Sequence, residues 1–301
     1  MIKLAFKKID AFATGESEGN PAAAIYLNDE DSISADEMQR IAGELAGCVS
    51  EVGYVRQLGE TTFDLKYYSS EREVDFCGHA TIAIMYDLLK SNPGLMQHQL
   101  LTVVTNKGSL VVENRIVQED AVFISAPSPG FSSRGVARSP LAEALGIPED
   151  AIATAHPTSI VNAGLETLIV PVSSLQDVLA MAPPFGLLKR FCLENGIDII
   201  TAFTDEVADK ANSYRTRVFA PLFGYLEDPA TGSGNAALGH YLLENERWDG
   251  ALISLEQNGE YARPNIVKLL AKQDEGNETR VAFGGGAILR IAGEYMLTYP
   301  R

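Results

Sequence analysis

The residues Glu73-Val-Asp-Phe-Cys-Gly-His-Ala-Thr81 are similar to a second stretch, Glu227-Asp-Pro-Ala-Thr-Gly-Ser-Gly-Asn235, about half the chain further on. Both stretches have a Glu, a glycine and a polar residue at equal offsets, and a helical pattern follows each glycine. The first of these helices, 80–89, is apolar on nearly every face, which predicts a helix enclosed by a sheet. The match indicates two similar lobes that arose by duplication, although two matches this short also arise by chance.

Short segments that alternate apolar and polar residues surround the two helices, and this alternation is typical of half-buried antiparallel strands. A further helix is predicted after Ser34, because Ser34-Ala-Asp-Glu37 has the form of a capping box. The stretch 125–134 is rich in Pro, Gly and Ser and is predicted to join the two lobes. The predicted strands are 3–13, 22–27, 49–55, 62–68, 101–104, 109–112, 121–125, 165–172, 199–204 and 215–219.

The composition is that of an ordinary globular enzyme, with 46% apolar and 21% charged residues in 301. A net charge of −16 disfavours nucleic acid and acidic membranes as partners. No run approaches the roughly 20 apolar residues of a membrane helix, and the start lacks the pattern of a signal peptide, so we expect a cytoplasmic protein. The three cysteines and four histidines lack the spacing of disulfide frameworks or metal sites, so no metal is predicted.

The two glycine-led helices are the first candidates for substrate binding. Their N-termini expose unpaired N–H groups and the positive end of the helix dipole, which together hold an anion such as a carboxylate. Gly78 and His79 stand at one helix start, and Gly232 and Ser233 stand at the other. Either the two polar side chains donate hydrogen bonds to substrate oxygen or they only cap their helices.

Three other polar residues have two interpretations each. Glu51 begins a strand and is either a solvated charge or, if buried in a cleft, a base whose pKa is raised towards neutrality. Asp228 lies before Pro229 and either forms a turn or holds a substrate ammonium group or orients His79. Asn20 either forms a turn or reaches a substrate carboxylate with its amide.

A glycine cluster, Phe283-Gly-Gly-Gly-Ala287, lies between strand-like segments. Since no helix follows it, the cluster lacks the context of a dinucleotide or phosphate loop. We predict a turn there.

Together these residues resemble the phenazine-biosynthesis PhzF-like isomerase family, which is related in fold to diaminopimelate epimerase and proline racemase. The resemblance runs nearly end to end. Its further landmarks are 10–12, 19–21, 50–51, 76–81, 217–221, 227–233, 256–257 and 263–264.

The resemblance implies an α+β fold of two similar lobes, each a rolled, mostly antiparallel sheet around a central helix, as in diaminopimelate epimerase. The N-terminal lobe is then 1–125, joined by a returning C-terminal strand at about 288–301, and the C-terminal lobe is 126–287. Glu51 falls at the family's catalytic glutamate in a cleft between the lobes. The implied pocket residues are Asn20, Gly78, His79, Asp228, Gly232 and Ser233, and a homodimer without metal or organic cofactor is expected.

The second helix start departs from the related epimerases, which use two thiols on opposite faces of the substrate. Cys77 stands at the first start, but Thr231 stands at the second, and a hydroxyl is too weak an acid to replace a thiol. We therefore expect a cofactor-independent isomerase that shifts a proton on a small carboxylate-bearing metabolite through Glu51, with Cys77 as a packing residue. An amino-acid racemase or epimerase and a non-catalytic metabolite-binding protein are the alternatives.

Overall fold

Two compact units divide the computed structural model, which describes residues 2–28, 30–273 and 276–298. One unit comprises Met1–Ile124 together with Gly284–Arg301, and the other comprises Ser125–Phe283. The first unit ends at Ile124, one residue before the predicted end at 125. The chain returns to this unit at Gly284, four residues before the predicted return at about 288. Residues 299–301 of the predicted returning segment lie outside the described residues.

The first unit is built mainly from strands around one long helix. The predicted capping box is confirmed, because the Ser34 side chain accepts from the Glu37 N–H group and Glu37 bonds back to the Ser34 N–H group. The elements of this unit are β1 Ile2–Ala11, β2 Asn20–Leu27, α1 Ala35–Glu44, β3 Glu51–Gln57, β4 Thr62–Ser69, β5 Glu73–Val74, α2 Gly78–Ser91, β6 Leu100–Thr105, β7 Gly108–Arg115, α3 Ile116–Glu119 and β8 Ala121–Ser125.

The second unit carries extra helices before its long one. Its elements, followed by the last strand of the chain, are β9 Gly130–Phe131, α4 Arg138–Leu145, β10 Ser159–Asn162, β11 Glu166–Pro171, α5 Leu175–Ala180, α6 Phe185–Asn195, β12 Ile199–Thr204, β13 Tyr214–Phe219, β14 Glu227–Asp228, α7 Gly232–Glu244, β15 Ile253–Gln257, β16 Asn265–Gln273, β17 Thr279–Gly285 and β18 Ala287–Leu297.

The two units repeat one order of strand pairing. In the first, β1–β2 is antiparallel, β2–β3 parallel, β3–β4 antiparallel, β4–β6 parallel and β6–β7 antiparallel. In the second, the pairs β10–β11, β11–β12, β12–β13, β13–β15 and β15–β16 have the same orientations in the same order. The short strands β5 and β14 also pair with matching neighbours, β4 and β13. This topology supports the predicted duplication.

The long helix is buried in each unit, as the apolar sequence predicts. In α2 the consecutive residues 82–85 are fully buried, and in α7 the residues 236–238 are also fully buried. Helix α2 approaches β3 closely at Gly53, where an added Cβ would lie 2.3 Å from Cδ1 of Ile84. None of the helices in the described part of the chain combines the length and apolar character needed to cross a membrane.

The last strand, β18, pairs with β1 along its whole length, from Ala11 opposite Ala287 to Ile2 opposite Leu297. The turn predicted for the glycine cluster before it is wrong, because Gly284 and Gly285 belong to β17. An added Cβ at Gly284 would lie 2.2 Å from the carbonyl oxygen of Val122. Glycine is needed there for close backbone approach, a use of glycine that a turn pattern does not reveal.

Candidate active site

Glu51 lies at the start of β3, next to two other strands. Its strand neighbours are Ala22 in β2 and Ser69 in β4. The N–H group of Ser50 donates to the carbonyl oxygen of Pro21, which fixes the chain just before the glutamate. The Glu51 side chain is 18% exposed, so the interpretation as a fully solvated charge is wrong.

His79, the second residue of α2, faces Glu51. Its Nε2 atom lies 3.2 Å from Oε2 of Glu51, and its other ring nitrogen, Nδ1, lies 3.4 Å from Sγ of Cys77. Helix α2 packs closely against β3 at Gly53, and this close packing brings the start of the helix near Glu51. The imidazole ring therefore contacts both a thiol and a carboxylate, and the His79 side chain is only 11% exposed.

Burial changes the acidity of Glu51. Removal of the carboxylate from water raises the pKa of Glu51 from 4.5 to about 7. A carboxyl group with a pKa near neutrality exists in both protonation states at physiological pH, which suits proton transfer in either direction. The geometry and the acidity both favour the acid/base interpretation of this residue.

The same three side chains offer donor atoms that all lie within 4.8 Å of one another. Thiolate, imidazole and carboxylate are zinc ligands, so the cluster raises the question of a metal. Sγ of Cys77 lies 3.4 Å from Nδ1 of His79, and Oε2 of Glu51 lies 3.2 Å from Nε2. The three side chains therefore form a compact group that can exchange protons and that also has the donor types of a zinc site.

Asn20 lies beside this cluster at the start of β2. It is fully buried, so it is not an exposed turn residue. Its Oδ1 atom lies 3.5 Å from the hydroxyl of Ser50, the residue before Glu51. The structure thus brings Asn20, Glu51, Gly78 and His79 together in the first unit.

The other predicted residues, Asp228, Gly232 and Ser233, lie together in the second unit at the start of α7. The Thr231 hydroxyl donates to Oδ2 of Asp228 in a short hydrogen bond. Gly232 is required at the first helical position, because an added Cβ would lie 2.1 Å from the ring of Phe283. Among the described residues, neither N-cap residue, Cys77 or Thr231, caps its helix with its side chain.

An ion pair fixes the strand that carries Asp228. Arg217 in β13 donates through Nε and Nη2 to the two carboxylate oxygens of Glu227, at 2.9 and 2.6 Å. Such a bidentate pair has a defined geometry as well as a favourable energy. Because Glu227 immediately precedes Asp228, this pair sets the position of β14 before the helix begins.

Two residues were not predicted to belong to these groups. Cys77, expected to be a packing residue, contacts the His79 ring. Thr231, noted only as a departure from a thiol, bonds to Asp228. Both occupy the position just before the helical glycine, so the internal repeat was the signal that could have identified them.

Residues 9–293 of the chain match the family described as phenazine biosynthesis-like protein. The chain belongs to this family. As a phenazine biosynthesis-like protein, it is 28% identical over 306 residues to antisense-enhancing sequence 1 of Schizosaccharomyces pombe, covering 98% of the chain and 99% of that relative. It is also 28% identical over 293 residues to trans-2,3-dihydro-3-hydroxyanthranilate isomerase of Pseudomonas chlororaphis, covering 93% of the chain and 95% of that relative.

A solved phenazine biosynthesis protein of the PhzF family from Bacillus anthracis has a similar fold. The TM-score is 0.86 at 24% identity, and the match covers 99% of this chain and 100% of that one. The predicted family and the two-lobed α+β fold class are confirmed by these comparisons, and the predicted enzyme class, isomerase, is confirmed by the family and its isomerase members.

Proposed function

We propose that the protein catalyses a cofactor-independent proton shift on a small metabolite that bears a carboxylate, with Glu51 as general acid/base. The observation that carries this proposal is the position of the buried Glu51 carboxylate, 3.2 Å from the imidazole of His79 at the start of a helix. Three groups then act on one substrate: the Glu51 base, the His79 ring as a hydrogen-bonding group, and the positive end of the α2 dipole.

In the proposed reaction, Glu51 takes a proton from a carbon made acidic by neighbouring unsaturation. The electron pair of the broken C–H bond moves into the conjugated system and onto the carboxylate of the substrate. His79 and the N–H groups at the start of α2 stabilise the charge that develops there. Glu51 then returns the proton to another carbon of the same system, so atoms and charge balance without a co-reactant.

The second unit supplies binding groups under this proposal. The N–H groups at the start of α7, with the Ser233 hydroxyl, hold a substrate oxygen anion, and the Asp228 carboxylate holds an ammonium or hydroxyl group. The relative that acts on trans-2,3-dihydro-3-hydroxyanthranilate supports a substrate with both a carboxylate and an amine.

The test is isotope exchange in heavy water. The wild-type protein is incubated with trans-2,3-dihydro-3-hydroxyanthranilate and, separately, with a cell metabolite extract, and mass spectrometry identifies the species that gains deuterium. We expect Glu51→Gln to lose exchange by on the order of 1000-fold, because the amide keeps the shape but removes the base. The matched control is Glu60→Gln, since Glu60 is 84% exposed. Full exchange in Glu51→Gln would refute the assignment.

A second candidate reaction, racemization or epimerization of an amino acid, is favoured by one observation. Cys77 lies against the same imidazole as Glu51, so a thiol and a carboxylate are both close enough to exchange protons with one ring. Deuterium at the α-carbon of an amino acid together with inversion of its configuration would support this reaction. Deuterium incorporation with a shifted double bond would support the proton shift instead.

A further inference from the structure

Gln257 is fully buried at the end of β15 and reaches the start of α7 with both ends of its amide. Its Oε1 atom accepts from the N–H group of Thr231 at 2.9 Å and from Nδ2 of Asn235 at 2.6 Å. Its Nε2 atom donates to the carbonyl oxygen of Asp228 at 2.8 Å and to the hydroxyl of Thr231 at 3.1 Å. One side chain thus joins Asp228 to the helix start.

The direction of these hydrogen bonds is fixed by backbone partners. The Thr231 N–H group can only donate and the Asp228 carbonyl can only accept, so exchanging the oxygen and nitrogen of the Gln257 amide would break both contacts. Since Nε2 of Gln257 donates into the Thr231 oxygen, the Thr231 hydroxyl proton is left to donate to Oδ2 of Asp228. We call this ordered chain, Gln257 to Thr231 to Asp228, the Asp228 relay.

The start of α2 in the first unit is held by different side chains among the described residues. There, Thr81 donates to the carbonyl of Cys77 at 2.7 Å, as Asn235 donates to the carbonyl of Thr231 at 2.8 Å. Thr81 is held by the hydroxyl of Tyr67 in β4, at 2.7 Å, whereas Asn235 is held by Gln257 in β15. The second unit therefore adds an amide that also reaches its acidic residue.

We propose that Gln257 and Thr231 are positioning residues that orient the Asp228 carboxylate for the substrate. This inference rests on the proposed function, in which Asp228 binds substrate. The relay holds Oδ2 of Asp228 and so restricts the direction of Oδ1. It also gives Thr231 a role: its hydroxyl proton is committed to Asp228, and the residue orients a binding group instead of replacing a catalytic thiol.

The first test observes Asp228 without any substrate. The protein is labelled with ¹³C at aspartate carboxyl groups, and Asp228→Asn identifies the resonance of Asp228. We expect Thr231→Val to move this resonance and Thr231→Ser to leave it in place, because serine keeps the hydroxyl. Thr167→Val is the matched control, since Thr167 is also buried in this unit but donates to Leu165.

The second variant tests the first link of the relay. Gln257→Leu is expected to move the Asp228 resonance, and the double variant Thr231→Val/Gln257→Leu is expected to move it by less than the sum of the two single shifts, because part of the Gln257 effect runs through Thr231. Two changes in one chain of contacts act non-additively, whereas independent changes add. Because Gln257→Leu leaves buried donors without acceptors and can fail to fold, the Thr231 pair decides the proposal on its own.

The kinetic test uses the compound that gains deuterium in the heavy-water experiment. Thr231→Val is expected to lower kcat/KM by on the order of 10-fold, with Thr231→Ser restoring most of it. An unmoved Asp228 resonance in Thr231→Val, or additive shifts in the double variant, would overturn the relay. If Asp228→Asn keeps full turnover while the resonance moves as expected, the relay exists but the substrate-binding role of Asp228 in the proposed function fails.

Discussion

Glu51 and Ile199 hold matching places in the two units: each begins the strand that pairs in parallel with the second strand of its repeat. Ile199 is only 2% exposed, so the second unit has a buried apolar side chain where the first has a carboxylate. The duplicated halves have therefore diverged in chemistry while keeping one topology. This asymmetry favours a single acid/base over a symmetrical pair.

The buried Glu51 is expected to lower the stability of the folded protein at high pH. Burial raises its pKa from 4.5 to about 7, so the folded state binds its proton more tightly than the unfolded state does. The stabilising effect of the proton is complete below pH 4.5 and is lost as the pH rises through 7. We expect Glu51→Gln to raise the free energy of unfolding by roughly 3 kcal/mol at pH 8 and to have little effect at pH 4.

Urea denaturation of wild type, Glu51→Gln and Glu60→Gln at both pH values checks this prediction. The exposed Glu60 variant should show no such pH-dependent gain. Equal stabilities of wild type and Glu51→Gln at pH 8 would mean that Glu51 is solvated in the folded protein.

The pH dependence of kcat/KM is expected to follow the protonation of Glu51. If Glu51 must lose its proton to act as base, kcat/KM falls on the acid side with a midpoint near pH 7, where an exposed glutamate would give a midpoint near 4.5. Because burial alone raises this pKa, Cys77→Ala should leave the midpoint in place. A midpoint that moves in Cys77→Ala would show that the thiol titrates together with the carboxyl group.

His240 should make the second unit sensitive to acid. It is 3% exposed in α7, its Nε2 atom meets no hydrogen-bond partner in the described part of the chain, and burial, helped by Arg280, lowers its pKa from 6.5 to about 4. The unfolded state binds this proton more readily, so stability present above pH 6.5 is lost as the pH falls towards 4, by roughly 3 kcal/mol.

The measurement compares the unfolding free energies of wild type and His240→Leu at pH 7 and pH 4. We expect the unfolding free energy of His240→Leu to fall less than that of wild type between pH 7 and pH 4, because leucine cannot bind a proton. His98→Gln is the control, since the His98 side chain is 35% exposed. An unchanged pH dependence in His240→Leu would show that this histidine is not buried in its neutral form.

Gly232 should not tolerate alanine. The added Cβ would lie 2.1 Å from the Phe283 ring, so either the ring or the start of α7 must shift, at about 1–3 kcal/mol. The matched control is Gly186→Ala in α6, where nothing lies within 4 Å of the added Cβ. That variant should gain up to about 1 kcal/mol, because alanine favours a helix. Urea denaturation measures both, and a neutral Gly232→Ala would mean that the ring moves freely.

Local patterns were enough to predict most elements of the fold. The capping box at Ser34 gave the start of α1, and the strand 199–204 was placed without error. The repeated glycine motif correctly placed the two buried helices, because an enclosed helix must be apolar on all sides. By contrast, the turn predicted at 284–286 was wrong. Glycine is needed there because a neighbouring backbone lies very close, and no local sequence pattern indicates that contact.

The candidate site was only partly predictable for a related reason. Residue type and spacing indicated Glu51, His79 and Asp228, but the direction of a side chain depends on contacts made across the sequence. Gln257 illustrates this limit: the family resemblance includes 256–257, but it does not indicate that Gln257 contacts Thr231, 26 residues away. Burial of that amide, which selects it as a positioning residue, follows from tertiary packing alone.

The pairing of β18 with β1 has a consequence for synthesis on the ribosome. Strand β1 is synthesised long before its partner, Ala287–Leu297, because the second unit lies between them in the sequence. Contacts that span such sequence distances slow folding and leave an open sheet edge in the nascent protein. The second unit can therefore finish folding before the first one, whose strand β1 stays unpaired on one side until β18 is made.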